Sequence, residues 1–148
     1  MEVMMKVLLY STDQGVLSKR VLSILQRAAS REQVEVFRDI HYLMQRLSLN
    51  LPDISILILL VQRQQVLSDL LLIRNHIIGH RVIMVLPDQE PETLSRAHLL
   101  YPRYLSYMDS DFKDLNAVLD KMIHYIVMNE KIKDMLNEPS PLPLALRP

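Results

Sequence analysis

The strongest constraint in this chain is the run Ile54-Ser55-Ile56-Leu57-Ile58-Leu59-Leu60-Val61. Apart from Ser55 it is aliphatic at every position, so it has no polar face to turn toward water. A strand of this kind is buried on both sides, as in the middle of a parallel sheet covered by helices. Pro52-Asp53 stands directly before it, and proline closes any helix upstream. The rest of the chain must therefore supply two apolar layers, one for each face of this central strand.

The flanking sequence has that organisation. An apolar run over 4–10 reads as a first strand, and Ser11-Thr12-Asp13-Gln14-Gly15 reads as the loop after it. Leu17, Val21, Ile24, Leu25 and Ala28 recur at helical spacing, which predicts a helix over about 14–30. Val34 and Val36 alternate with Glu35 and Phe37 as a second strand, after which Ile40, Leu43, Met44 and Leu47 restore the helical period. Val66, Leu70, Ile73 and Ile77 predict one further helix, ended by Gly79, and the segment 81–86 gives a fourth strand. Pro91 opens a short helix, 103–108 is a fifth strand, and Leu115, Val118, Leu119, Met122, Ile123 and Ile126 mark the packing side of a last helix. Asp109, Ser110 and Asp111 are its candidate caps, which explains this acidic cluster better than a calcium loop does.

Five β-α steps joined by short connections imply a single α/β domain with a doubly wound parallel sheet, because right-handed crossovers return each strand to the same sheet. The expected strand order is 2-1-3-4-5, the flavodoxin-like arrangement, in which ligands sit at the carboxyl ends of the strands. The expected division is an α/β domain over 1–128, then a helix extension and a proline-rich flexible tail over 129–148.

Composition narrows the function classes. With 17 basic and 17 acidic residues the chain has no net field to draw in nucleic acid or anionic lipid. Lys19, Arg20, Arg27 and Arg31 read as a solvated helix face, with Glu32, Glu35 and Asp39 close behind. Neither a nucleic-acid nor a membrane partner is expected, since the longest apolar run is far below the roughly 20 residues that span a bilayer. The first residues lack the ordered regions of a signal peptide, and the absence of cysteine removes disulfides and thiolate chemistry; a cytoplasmic location is expected.

Four local features, Lys6-Val7-Leu8-Leu9-Tyr10, Leu51-Pro52-Asp53, Arg81-Val82-Ile83-Met84-Val85-Leu86 and Tyr104-Leu105, make residues 5 to 127 resemble the receiver domain of response regulators. The resemblance implies an acidic pair holding magnesium after the first strand, a phosphate-accepting aspartate at the end of the third, a hydroxyl at the end of the fourth, and a lysine-proline pair at the end of the fifth. Here Ser11 and Thr12 stand at the acidic pair, with Asp13 beside them. The acceptor position falls on Ile58, or on Leu59 or Leu60, none of which can form an acyl phosphate. Leu86 replaces the hydroxyl, and Tyr107-Met108 replaces lysine-proline. The chain thus resembles a pseudo-receiver, not an enzyme, that works independently of phosphorylation as a protein-interaction module in signalling or regulation. Tyr104 matches the family's switchable aromatic on the face of the fourth helix, fifth strand and fifth helix, and Tyr101 and Tyr107 add to that candidate partner surface.

Two alternatives stay open. The 11–15 loop resembles the phosphate loop of flavodoxins and would hold FMN or another small phosphorylated ligand, but the chain has two glycines and no tryptophan, and no cofactor is expected. The other alternative is a structural homodimer. Leu115, Val118, Met122, Tyr125, Asn129, Ile132 and Leu136 follow alternating three- and four-residue steps, so Tyr125 and Ile132 are candidate contacts for a paired helix. His76 and His80 have zinc-like spacing, but Gly79 between them places His80 beyond the helix end, and no metal site is expected.

Overall fold

The computed structural model describes residues 5–137, so the expected tail over 138–148 lies outside the described residues, as does Met4 of the first strand. Five strands, β1 (Lys6–Tyr10), β2 (Val34–Phe37), β3 (Ile54–Leu60), β4 (Val82–Leu86) and β5 (Tyr104–Tyr107), form one parallel sheet in the order β2-β1-β3-β4-β5. The helices are α1 (Val16–Ala28), α2 (Ile40–Ser48), α3 (Gln64–Leu72), α4 (Arg74–Ile77), α5 (Pro91–His98) and α6 (Lys113–Asn137). This is the flavodoxin-like fold, with β3 in the middle of the sheet.

Successive side chains of β3 enter different layers because a strand has a period of two. Leu57 and Leu59 pack with Leu43 and Leu47 of α2, Val66, Leu67 and Leu70 of α3, Ile77 of α4 and Ala97 of α5. Ile56, Ile58 and Leu60 pack with Val21 and Leu25 of α1 and with Leu115, Leu119 and Ile126 of α6. Every residue from Ser55 to Leu60 is buried, as its lack of a polar face requires. At about 1.5–3 kcal/mol for each fully buried aliphatic side chain, this strand is a principal source of stability for the domain.

One helix differs from the sequence expectation. The period from Val66 to Ile77 predicts a single helix, but the backbone leaves helical geometry at Ile73 (φ −106°, ψ 23°), dividing it into α3 and α4. Ile73 stays in the core while Leu72 is 86% exposed. Arg74 at the break donates from Nε to the Leu99 carbonyl at 2.6 Å, a tertiary bond that periodicity does not report. Gly79 ends α4 as expected, with φ +98° in the left-handed region that glycine enters at little cost.

A polar cluster near the amino end of β3 ties the sheet to α2. Arg46 on α2 forks onto both carboxylate oxygens of Glu35 on β2 (3.1 and 3.2 Å) and reaches Asp53 Oδ2 at 2.9 Å. The Arg46 and Asp53 side chains are only 10% and 14% exposed. The two carboxylates hold the guanidinium pKa above its ordinary value, the Glu35 hydrogen bonds being the largest cause. Replacing Arg46 with Met leaves two acids facing each other with no cation between them. The expected loss is about 3 kcal/mol, measured by urea denaturation as a lower midpoint at unchanged slope.

Candidate functional site

A parallel sheet delivers the carboxyl ends of its strands to one edge, where this fold class binds ligands. Register sets Tyr10 beside Leu59, Leu60 beside Val85 and Leu86 beside Tyr107. Ser11 follows Tyr10 and is fully buried, with its hydroxyl 2.9 Å from Ser18 Oγ on α1 and 3.1 Å from the Asp13 carbonyl. Arg38, directly after β2, reaches across this loop. Its Nη1 donates to Ser18 Oγ (2.9 Å) and to the Ser11 carbonyl (3.2 Å), and it also contacts the Asp13 carbonyl. A guanidinium from the β2–α2 connection therefore ties the loop after β1 to the first turn of α1.

The donors at this edge do not fit the divalent ion that the receiver resemblance implies. Magnesium is held chiefly by carboxylates and water. Here the Ser11 hydroxyl is engaged with Ser18, the exposed Asp13 carboxylate accepts the Gly15 N–H at 2.9 Å, and the nearby cation is Arg38. Among the described residues there is no cluster of three His, Asp or Glu side chains able to hold a metal. Thr12 Oγ1 and Gln62 Oε1 are buried there without partners. Ile58, Leu59, Leu60 and Leu86 are all 0% exposed, so the acceptor and hydroxyl positions are filled with hydrocarbon. In the 11–15 loop, Gly15 N–H and the Ser11 hydroxyl, groups that a ligand phosphate would use, are engaged within the protein itself.

Burial pushes the Tyr10 phenol above its ordinary value, and the charges of Asp69 and Asp39 add to the effect. Burial also lowers the His80 pKa, which favours the neutral imidazole; His80 lies beyond the end of α4.

The candidate contact residues fall in different places. Tyr104 and Tyr107 are three apart on the edge strand β5, so they point to opposite faces of the sheet. Tyr104 packs against the layer containing α1 and α6, and Tyr107 against the layer containing α3 and α5. Tyr101, past the end of α5, is 65% exposed, has φ +52°, and has the Arg74 guanidinium 5.6 Å from its ring centroid. Tyr125 and Ile132 lie on α6 and are 58% and 48% exposed, with Arg81 6.0 Å from the Tyr125 ring centroid.

The seam drawn from sequence on α6 changes partner along its length. Leu115 is buried, and Val118 and Met122 pack against the domain. The exposed apolar stripe is Tyr125, Met128, Ile132, Met135 and Leu136, and Asn129 lies beside it, half-buried. A 25-residue helix is about 37 Å long, so its last turns extend beyond the elements that bury its beginning.

Neither Arg38 nor Arg46 was singled out by sequence reasoning. In sequence each is one arginine among many, and only the β2–α2 geometry aims Arg38 at the strand ends.

No protein-family model matches the chain, and no characterised protein matches it in sequence. Solved structures share its fold. The N-terminal domain of an uncharacterized protein from Wolinella succinogenes superposes with a TM-score of 0.64 at 16% identity, over 84% of this chain and 98% of that one. A putative pilus assembly-related protein from Burkholderia pseudomallei gives 0.60 at 18%, over 86% and 92%. A fusion carrying a trimeric coiled-coil segment of yeast Spc42 gives 0.60 at 11%, over 93% and 85%. These likenesses establish a receiver-like α/β fold. No helix among the described residues is long and apolar enough to cross a membrane.

Tyr104 has a measurable signature. Its hydroxyl donates to Asp114 Oδ2 at 2.5 Å, and that hydrogen bond, followed by burial, pushes the phenol up to about 12. A phenol pKa raised on folding stabilises the native state below pH 10, and this contribution is lost as pH rises from 10 toward 12. In an ultraviolet titration one phenol should ionise near pH 12, and this step should vanish in Tyr104→Phe and move down toward 10 in Asp114→Asn.

Proposed function

We propose that this chain is a phosphorylation-independent pseudo-receiver, a non-enzymatic module that binds another protein in signalling or regulation. The observation that carries the reading is Arg38 seated on Ser11, Asp13 and Ser18 at the strand ends, together with buried aliphatic side chains at the position the resemblance assigns to the acceptor. A phosphoryl transfer site needs carboxylates to hold the metal and one to accept the group. This edge instead holds a structural cation and hydrocarbon, which favours a fold used for its surface. The docking face is the edge made by α5, β5 and α6, with Tyr104 and Tyr107 as anchors on either side of the strand. Buried aromatic anchors carry much of the energy in protein interfaces.

A second reading, self-association through α6, is favoured by the exposed stripe of Tyr125, Met128, Ile132, Met135 and Leu136. Paired helices bury such a stripe when it repeats at three- and four-residue steps.

Full-length protein used as bait in lysate of its source organism separates the two. The binding-module reading expects a retained partner that Tyr104→Ala with Tyr107→Ala loses by at least about 30-fold in affinity while remaining folded by circular dichroism. Retention undiminished in that double variant removes the tyrosine edge as the docking face. Recovery of the bait alone, with light scattering at twice the chain mass, supports self-association instead.

A further inference from the structure

The solvated face of α1 does not point only into open water. Lys19, Ser23 and Arg27 follow one another at four-residue steps along it, with Val16, Arg20 and Ile24 on the neighbouring row. The opening of α6, with Asp111, Phe112, Lys113 and Asn116, lies opposite, and an open groove of about 500 Å³ runs between the two helices. Phe112 is 1% exposed and lies under Arg20, whose guanidinium is 4.8 Å from the ring centroid. The groove thus has apolar ground at Val16 and Ile24, with Phe112 buried beneath Arg20, and cations along its walls.

The charges in this groove are unbalanced. Lys19, Arg20, Arg27 and Lys113 face a single acid, Asp111. Among the described residues Lys19, Arg20 and Arg27 form no salt bridge. Asp111 uses Oδ1 to accept the Lys113 backbone N–H at 3.1 Å, and its contact with the Lys113 ammonium is a loose 4.0 Å between exposed groups. In a chain of zero formal net charge, Lys19, Arg20 and Arg27 make a local positive field that no acid among the described residues pairs.

We infer that the groove between α1 and the start of α6 docks an acidic, amphipathic segment of a partner protein. The cations from Lys19 to Arg27 extend over about 12 Å of helix, which suits carboxylates spaced along a peptide better than one compact anion. The apolar ground between them suits a segment that carries aliphatic anchors among its acids. Nucleic acid fits less well, because Phe112, the aromatic in the groove, is buried beneath Arg20 and offers no face for a base to stack on. This surface is distinct from the tyrosine edge and shares with the proposed function only the premise that the domain works by binding.

The test uses the full chain and a fluorescein-labelled amphipathic peptide of leucine, alanine and glutamate, with a counterpart in which glutamine replaces glutamate. By anisotropy, the acidic peptide should bind at least about tenfold tighter than the glutamine peptide, with affinity falling as salt rises. Lys19→Glu with Arg27→Glu should weaken it at least about tenfold further, and Lys19→Gln with Arg27→Gln should weaken it in the same direction by less. All four substitutions are at exposed positions, so melting should be preserved. Amide shifts should concentrate at 16–27 and 111–116. Equal binding of the two peptides, no binding of either, or affinity indifferent to the charge variants would overturn the inference. So would a single-stranded oligonucleotide that binds tighter than the acidic peptide. Tyr104→Ala with Tyr107→Ala should leave peptide binding unchanged, so failure here and failure of the tyrosine edge are read separately.

Discussion

The rest of the structure depends on the burial of β3 on both faces. A strand with six consecutive buried residues and no polar face needs two covering layers, and each helix is placed by the layer it supplies. The same demand governs the chemistry at the strand end. An aspartate at Ile58, or at Leu59 or Leu60 where β3 ends, would have to ionise in a position with no exposed surface and no neighbouring cation on its own strand, a cost of several kcal/mol. Aliphatic side chains there extend the core to the edge of the sheet, so the feature that stabilises the fold occupies the position to which the resemblance assigns the acceptor.

Two arginines tie β2 and α2 to the remainder of the sheet. Arg38 holds the loop after β1 at the carboxyl ends of the strands, and Arg46 holds Glu35 and Asp53 toward the other end of β3. Each satisfies several acceptors with one planar, permanently charged group, which lysine cannot reproduce. At the strand ends the cation is covalently part of the chain, and it donates to oxygen acceptors from one fixed position. In the pseudo-receiver reading that we propose, this side chain takes over a charge that the family resemblance assigns to an exchangeable ion.

The layers were legible because hydrophobic period is a local signal. Alternation marked β2, the unbroken aliphatic run marked β3, and helical spacing marked α1, α2 and α6, so sheet order followed from topology. The break at Ile73 was not legible, because Val66, Leu70, Ile73 and Ile77 keep one period through it and the contact at Arg74 comes from residues distant in sequence. The candidate site was legible mainly by what it lacks, since the missing carboxylates can be read position by position. Arg38 and Arg46 were missed because a charged residue's partners depend on tertiary geometry. The placing of Tyr104 and Tyr107 on opposite faces follows from the strand period, whereas the grouping of the tyrosines as one surface rested on the family resemblance at Tyr104 and on the closeness of Tyr101 and Tyr107 to it in sequence. On α6 the three-four spacing was visible, but which turns pack on the domain and which stay exposed depends on where the sheet ends.

The central claim is that the strand-end crevice is closed to metal-assisted phosphoryl chemistry. The most direct measurement is an amide NMR titration of the full-length protein with magnesium and beryllofluoride, an analogue of the phosphoryl group. The expected result is no saturable shift at Ser11, Thr12, Asp13, Ile58, Leu60, Leu86 or Tyr107, with the resonances of the Arg38 region unmoved. Saturable shifts centred on those residues, dependent on both magnesium and beryllofluoride, would contradict the account.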